Sequence, residues 1–318
     1  MLVEFSYEGE ARSVRLRGSL EALGGTELHE AGGRWTTSVD VPDDVRATYW
    51  FALDGEEDWT RWVPDPSNPK RYVYPAGLSF TGDHEVVGSL FEGPLTPSFR
   101  WSTERDVPRG VVEERELDGR SVWIYRPAGA PPEAVLLLFD GREYTTIAPA
   151  PTVLDNLIAA GEIPPTAAVL PDSLDTETRF RELGRDRAFL DWVVGRVLPW
   201  SGLAAPSERT VVAGSSMGGV ASLFFATERP DVFGNALVQS GGFPGRPVTV
   251  PPGLLVRWYL DVGVLELGLL ESTRELRDDL IAKGYEVAYR EFPGGHDFFW
   301  WRETLADGLI SLLRPGAR

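Results

Sequence analysis

The spacing of hydrophobic and polar residues changes after about the first hundred positions of the chain. Before that change, short runs alternate apolar and polar residues between clusters of Gly, Pro and Asp: SVRLRG (13–18), RWTTSVDV (34–41) and ATYWFALDG (47–55). Period-two runs rich in Val, Thr, Trp and Tyr, with turn signals between them, are typical of an antiparallel β-sandwich. The sequence therefore predicts an all-β N-terminal domain of immunoglobulin-like, early-set type, without a helix of useful length.

After residue 112 the apolar runs become continuous and alternate with helical stretches, which is what a parallel sheet covered on both faces requires. The predicted strands are 121–127, 134–141, 166–172, 210–216, 235–241, 254–263 and 285–292. The predicted helices are 152–161, 187–200, 219–230, 271–284 and about 299–314. The polar segment STERDVPRGVV (102–112) fits a linker or a connecting strand. We predict a β-sandwich over residues 1–108 and an α/β domain with a mostly parallel sheet over residues 109–318.

Composition narrows the possible functions. The chain has 318 residues and no cysteine, which excludes disulfides, a thiolate nucleophile and cysteine metal sites. A formal net charge of −17 disfavours nucleic acid and acidic membrane surfaces as partners, because both are polyanions. The N-terminal residues lack a secretory-signal pattern, and no apolar run approaches the length of a membrane span. We therefore expect a cytoplasmic protein, and the oligomeric state stays open.

A candidate nucleophile lies between a predicted strand and a predicted helix. Residues 212–219 read VAGSSMGG, in which Ser216 is the centre of a G-x-S-x-G pattern. The bare pattern also fits an ordinary glycine-rich turn, but the strand before it and the helix after it are the context of the α/β-hydrolase nucleophile elbow. Ser215 is the weaker candidate because it is off the centre of the pattern. The sequence thus predicts an α/β-hydrolase domain with Ser216 as nucleophile.

A serine nucleophile needs a base, and the histidines narrow the choice. The chain has three, His29, His84 and His296, and only His296 lies in the α/β region. It follows the last predicted strand and precedes the last helix, as the order Ser…Asp/Glu…His requires. A loop histidine that only makes hydrogen bonds is the alternative interpretation. Gly294 and Gly295 would let this loop approach the serine closely.

The acid that orients the imidazole is not decided by spacing, because many carboxylates lie between the serine and the histidine. Asp261 and Glu266 are at the end of the appropriate strand, in LDVGVLELG. Glu266 lies beyond Gly263 in the loop, where a side chain can reach over the end of the sheet, whereas Asp261 lies within the strand. We favour Glu266, with Asp261 and a dyad that lacks an acid as the alternatives.

The developing oxyanion needs two backbone N–H donors. One is expected from Met217, the residue after the nucleophile, and the other from Gly141 or Arg142, in the loop after the strand AVLLLF. A simple Asp-Gly turn is the alternative for this loop, and Asp140 would be structural.

Several of these segments resemble the enterochelin (enterobactin) esterases and the wider esterase D-like α/β hydrolases. They are VVAGSSMGGVASLFFATERPDVFGNALVQSGGF, DVGVLELG and FPGGHDFFWWRETLADGL, supported by LLLFDGREY, DNLIAAGEIPPTAAVLPD and RFREL (179–183). The resemblance covers most of residues 116–315, and those esterases also carry an N-terminal β-sandwich. It implies Ser216, His296 and Glu266 as a catalytic triad, with Met217 and Arg142 as oxyanion donors.

The resemblance also implies a substrate: the ester bonds of a trilactone in a ferric catecholate siderophore such as enterobactin, hydrolysed in the cytoplasm so that iron can be released. No metal or organic cofactor is expected, because iron arrives as part of the substrate. A ferric tricatecholate is an anion, so its site should contain arginines. The candidate substrate-binding residues are Arg142, Arg185, Arg187 and Arg302, with Trp300 and Trp301 as flat surfaces. For each arginine, a surface ion pair is the alternative.

Three other functions fit the same motifs. A feruloyl or acetyl-xylan esterase would use the N-terminal domain to bind carbohydrate, with Tyr49, Trp50, Trp59 and Trp62 as a sugar platform. A general carboxylesterase for small esters would need no such platform. A non-catalytic binding protein on a hydrolase scaffold would not be labelled by a fluorophosphonate, which requires an activated serine.

Overall fold

Two antiparallel sheets are formed by the N-terminal residues of the computed structural model, which describes residues 1–242 and 248–314. One sheet has the strand order β1-β4-β3 and the other has the order β2-β5-β7-β6. The strands are β1 (Leu2–Glu8), β2 (Val14–Gly18), β3 (His29–Ala31), β4 (Arg34–Asp40), β5 (Arg46–Leu53), β6 (Arg71–Tyr74) and β7 (Val86–Glu92). Only short 3₁₀ turns interrupt the strands in this part of the described chain, so the predicted all-β N-terminal region is confirmed.

Strand β5 is buried along almost its whole length, from Arg46 to Ala52. Its odd-numbered residues Ala47, Tyr49 and Phe51 pack into a hydrophobic core that also contains Phe5 and Leu16. Its even-numbered side chains point to the opposite face and are buried there as well. Both faces of β5 are therefore covered.

A larger sheet follows, with the order β15-β14-β13-β12-β10-β11-β9-β8 among the described residues. Its strands are β8 (Val111–Leu117), β9 (Arg120–Arg126), β10 (Ala134–Leu138), β11 (Thr166–Pro171), β12 (Thr210–Ser215), β13 (Asn235–Gln239), β14 (Arg257–Gly263) and β15 (Val287–Phe292). The pairs from β11 through β10, β12 and β13 to β14 are parallel, and β8 and β9 add an antiparallel edge. The mostly parallel sheet is confirmed.

The helices that accompany this sheet are α1 (Gly141–Thr146), α2 (Ala150–Ala159), α3 (Thr176–Glu182), α4 (Arg187–Trp192), α5 (Leu198–Ser201), α6 (Met217–Glu228), α7 (Leu267–Ala282) and α8 (Phe298–Leu313). The helix predicted over 187–200 is divided, because a π-helical turn over Val193–Val197 separates α4 from α5. Within residues 1–242 and 248–314, no helix combines the length and apolar character needed to cross a bilayer.

The described residues form two compact units. The first contains Met1–Ser98 together with two later segments, Gly263–Leu267 and Phe292–Trp300. The second contains the rest of the α/β region, beginning at Phe99. The domain boundary near residue 108 stays a prediction, and the last residues of the predicted second domain, 315–318, lie outside the described residues.

Candidate active site

Ser216 occupies a strained turn between β12 and α6. Its backbone has φ 55° and ψ −120°, a conformation that residues other than glycine rarely adopt. A Cβ atom on Gly214 would lie 2.7 Å from the backbone of Gly218, and one on Gly219 would lie 2.9 Å from the carbonyl oxygen of Gln239. These contacts explain why the turn needs glycines. Ser216 is partly exposed and Ser215 is fully buried, so the turn presents Ser216 as a nucleophile elbow does.

The loop after β10 is held by a buried ion pair. Asp140 has a left-handed backbone conformation with φ 57° and precedes Gly141, the first residue of α1. Both of its carboxylate oxygens accept hydrogen bonds from Arg179, at 2.7 Å each, and Oδ1 also accepts one from Ser173 at 2.6 Å. These hydrogen bonds fix the Asp140 side chain and the start of the loop.

Arg179 connects this loop to the serine turn. Its Nη2 atom donates to the carbonyl oxygen of Ser215 at 3.4 Å as well as to Asp140. Burial by itself lowers the pKa of Arg179, but the charge and hydrogen bonds of Asp140 outweigh it and raise the pKa above its usual value. The arginine of the R-x-x-E-L segment thus stays charged and fixes the two loops that carry the predicted oxyanion donors.

The predicted oxyanion donors lie at the starts of two helices. Met217 is the first residue of α6, and Gly141 and Arg142 are the first two residues of α1. N–H groups in the first turn of a helix have no acceptor within the helix, so they can bind an anion. A Cβ atom on Gly141 would lie 2.4 Å from the carbonyl oxygen of Leu170, which explains the glycine there.

His296 and Glu266 form a direct contact. His296 Nδ1 lies 2.5 Å from Glu266 Oε2, and the other carboxylate oxygen, Oε1, accepts a hydrogen bond from the backbone N–H of Gly263 at 2.7 Å. The Glu266 side chain is 1% exposed, whereas that of His296 is 38% exposed. Because Nδ1 faces the carboxylate, Nε2 is the ring nitrogen on the side away from Glu266. The contact brings together the predicted base and the favoured acid, and the carboxylate can fix the orientation of the ring.

Asp261, the alternative acid, is fully buried within β14. Its neighbour is Tyr259: burial raises the pKa of Tyr259, and the negative charge of Asp261 raises that pKa further. The contact between Glu266 and His296 therefore favours Glu266 as the orienting acid.

Asp297 was missed by the sequence reasoning. It directly follows His296, precedes α8 and is buried. Burial raises the pKa of Asp297 to about 6; hydrogen bonds from Thr48 and from backbone N–H groups act in the opposite direction, and the negative charge of Glu266 adds to the rise. An acidic residue just before an apolar helix is a known helix-start signal, but its burial could not be predicted from the sequence.

Arg142 is partly exposed and already has a carboxylate partner. Its Nε and Nη2 atoms donate to Asp172 Oδ2 at 3.2 and 2.7 Å, and its guanidinium lies 5.3 Å from the centre of the Trp123 ring. The hydrogen bonds that Arg142 donates to Asp172 raise the pKa of Arg142 above its usual value. Asp172 thus fixes the direction of this side chain and offsets part of its charge.

The other candidate arginines differ in their surroundings. Arg185 is exposed in a turn, with φ 78°. Arg187 is exposed and pairs with Glu228 at 2.5 Å, which matches the alternative of a surface ion pair. Arg302 is partly buried, with its guanidinium 5.2 Å from the ring centre of Phe99.

The tryptophans predicted to offer a flat binding surface are buried. Trp301 is 2% exposed and its Nε1 donates to Ser240 Oγ at 3.0 Å, while Trp300 is 1% exposed and stacks on Phe292. The expected exposed surface at Trp300 and Trp301 is therefore wrong, because α8 packs these rings inward.

The four aromatic rings suggested as a sugar platform do not form an exposed surface together, so this alternative prediction is also wrong. Tyr49 and Trp50 are 2% and 5% exposed, because both belong to the buried strand β5. Trp59 and Trp62 are partly exposed, but both pack against Trp50, with ring centres 6.3 Å away in each case.

Comparison with known proteins gives a consistent relationship. Residues 119–249 match the family described as "Putative esterase". The iron(III) enterobactin esterase of Dickeya dadantii (strain 3937) is 33% identical over 93% of this chain and 79% of its own length. The enzyme of the same name from Escherichia coli (strain K12) is 29% identical over 93% of this chain and 82% of its own length.

A solved structure supports the fold. The enterobactin esterase of Shigella flexneri, determined in the presence of enterobactin, superimposes with a TM-score of 0.78. The alignment covers 98% of this chain and 92% of that one, at 23% identity. The N-terminal β-sandwich followed by an α/β-hydrolase domain is therefore confirmed. Because the match to the Dickeya dadantii enzyme, at 33% identity, covers most of both chains, this chain belongs to the iron(III) enterobactin esterase family.

Proposed function

We propose that this protein is a serine esterase that hydrolyses the ester bonds of a ferric catecholate siderophore, such as the trilactone of ferric enterobactin. The observation that carries the proposal is the strained turn that presents Ser216 at the end of β12, in a chain of this family. The names of the relatives supply the substrate class.

In the proposed reaction, Ser216 attacks the ester carbonyl while His296 takes its proton through Nε2. Glu266 holds the ring and stabilises the imidazolium that forms. The N–H of Met217 and that of Gly141 or Arg142 bind the oxyanion. His296 then gives its proton to the departing alcohol, and water repeats the sequence on the acyl-enzyme.

Chain order supports this assignment of roles. Ser216 follows β12, Glu266 follows β14 and His296 follows β15, which is the order nucleophile, acid, base of the α/β-hydrolase fold. The chemistry requires no metal or organic cofactor, and iron enters as part of the substrate. We place the reaction in the cytoplasm, as the family resemblance implies.

Arginines would bind the anionic substrate despite the formal net charge of −17. Arg142 is the strongest candidate, since it belongs to the proposed oxyanion loop and its side chain is partly exposed. Arg185 and Arg302 are further candidates. Arg187 is the weakest, because it forms an exposed surface ion pair with Glu228 at the start of α4, outside the two loops that carry the proposed oxyanion donors.

A feruloyl or acetyl-xylan esterase is less well supported, because Tyr49 and Trp50 are buried and cannot contact a sugar chain. A general carboxylesterase would share the triad and differ only in substrate. A pure binding protein would not need the strained conformation of Ser216, which costs about 1–3 kcal/mol.

The test compares hydrolysis of ferric enterobactin, p-nitrophenyl acetate and a feruloylated sugar by the wild-type, Ser216→Ala and Ser215→Ala proteins. We expect a strong preference for ferric enterobactin and a loss of turnover and fluorophosphonate labelling only in Ser216→Ala. Near-normal turnover by Ser216→Ala would contradict the nucleophile. Activity confined to the two other esters would keep the nucleophile and reject the siderophore substrate.

A further inference from the structure

The segments that carry Glu266 and His296 share one compact unit with the N-terminal sheets. Gly263–Leu267 and Phe292–Trp300 belong with Met1–Ser98. The two segments are bonded to each other, since the N–H of Leu265 donates to the carbonyl oxygen of Gly294 at 2.9 Å. Leu265 also lies within the hydrophobic core of the N-terminal sheets. The residue beside the proposed acid is therefore a core residue of the N-terminal domain.

Strand β5 contacts the histidine segment on both sides of His296. Before it, the N–H of Arg46 donates to the carbonyl oxygen of Pro293 at 3.0 Å. After it, Thr48 Oγ1 donates to Asp297 Oδ2 at 2.8 Å, and Trp300 Nε1 donates to the carbonyl oxygen of Arg46 at 2.7 Å. The segment is thus attached to one strand by three hydrogen bonds that flank the imidazole.

Close packing restricts the same segment from another direction. A Cβ atom on Gly295 would lie 2.2 Å from Ser19 Oγ and 2.4 Å from Ser19 Cβ. Ser19 begins the 3₁₀ turn Ser19–Leu23, between β2 and β3. The backbone just before His296 is therefore pressed against the N-terminal domain and has no room to shift toward it.

We propose that the N-terminal β-sandwich positions the base of the active site, and that Thr48 is the positioning residue through which it does so. Thr48 acts on Asp297, which is bonded to His296 through the backbone, and it does not touch the reacting atoms. The hydroxyl group is important because Asp297 is buried: without this donor, the carboxylate must find another partner or move. Either response displaces the backbone that carries the imidazole. This inference rests on the proposed function, in which His296 is the base.

The first test removes only the hydroxyl group. Thr48→Val keeps the shape of the side chain, Thr48→Ser keeps the donor, and Ser89→Ala is the control, because this buried hydroxyl on β7 accepts a hydrogen bond from the backbone of Asp65. The measurement is kcat and KM on ferric enterobactin and on p-nitrophenyl acetate.

We expect Thr48→Val to lower kcat by about 10- to 100-fold on both substrates, with KM changed by less than about twofold. Thr48→Ser and Ser89→Ala should stay within about threefold of wild type. A folded Thr48→Val protein with normal kcat would overturn the proposal. So would a loss that appears in KM alone.

The second test uses the contact with Ser19 and remains informative even if Thr48→Val does not fold. Gly295→Ala should lower kcat because the new methyl group collides with Ser19. The double variant Ser19→Gly/Gly295→Ala should have a kcat about tenfold higher than that of Gly295→Ala alone. Failure of the double variant to recover would show that the N-terminal domain does not control this segment.

The outcomes separate this inference from the proposed function. If Ser216→Ala is inactive and both positioning tests are negative, only the role of the N-terminal domain is wrong. If Ser216→Ala keeps its activity, the proposed function is wrong, whatever the Thr48 variants do.

Discussion

The substitution Glu266→Gln tests how the imidazole is oriented. Glu266 Oε1 accepts a hydrogen bond from the N–H of Gly263 at 2.7 Å, and Oε2 faces His296 Nδ1 at 2.5 Å. A glutamine must keep its carbonyl oxygen toward Gly263, because the N–H there needs an acceptor. Its NH₂ group then faces Nδ1 and donates to it. The imidazole is forced to carry its proton on Nε2, and a protonated Nε2 cannot accept the proton of Ser216.

The expected loss follows from this wrong tautomer. In serine hydrolases the corresponding amide substitution lowers kcat by about 10⁴-fold while the geometry stays intact. Each factor of ten in rate corresponds to about 1.36 kcal/mol of activation free energy, so the activation free energy of the chemical step should rise by about 5 kcal/mol. KM should change little, because Glu266 is 1% exposed and does not meet the substrate.

The assay is kcat on ferric enterobactin and on p-nitrophenyl acetate, with thermal unfolding as a check of the fold. Asp261→Asn is the matched control, since it makes the same change at the other candidate acid. A folded Glu266→Gln protein within about tenfold of wild type would refute the reasoning. A severe loss in Asp261→Asn, with a mild one in Glu266→Gln, would assign the acid to Asp261.

Two further predictions concern stability. Arg179→Met should lower the free energy of unfolding in urea by about 3–5 kcal/mol, because Asp140 is left buried without its cation. Arg187→Met removes the exposed pair with Glu228 and should cost less than about 1 kcal/mol, and equal losses would contradict this reasoning. Because burial raises the pKa of Asp297 to about 6 from an ordinary 3.8, the native protein holds a proton between about pH 4 and pH 6 that the unfolded chain has released. The free energy of unfolding should therefore fall as the pH rises from about 4 to 6, and Asp297→Asn should reduce that slope; an unchanged slope would contradict a raised pKa for Asp297.

The parallel sheet could be predicted because its strands are buried on both faces. Strand β10, for example, is buried at every position, and its sequence AVLLL is apolar throughout. Helices α1 and α3 were missed because six or seven residues are too few to show a helical period. Strand β8 was missed in part because its residues are almost all exposed, so it has no apolar pattern.

The site could be predicted only as far as chain order decides it. Ser216 and His296 follow from the motif and from the single histidine in the α/β region. The choice between Asp261 and Glu266 depends on the turn at Gly263, whose N–H holds the carboxylate toward the ring, and no spacing rule contains that contact. The burial of Trp301 could not be predicted either, because a tryptophan in a C-terminal helix has the same sequence signal whether its side chain faces the core or the solvent.

The residue pattern of β5 indicates that both faces of this strand are covered. A strand with one face toward solvent should alternate apolar and polar residues, but β5, RATYWFAL, alternates only weakly and has a single charged residue, Arg46, at its start. Such a strand needs a partner on each face. In the structure, one face packs on the N-terminal core, and the other contacts the segment Phe292–Trp300 through the side chains of Arg46 and Thr48. Because β5 would otherwise expose this second face, the N-terminal domain and the histidine segment should fold as one unit, which is why removal of the domain should also disturb the base.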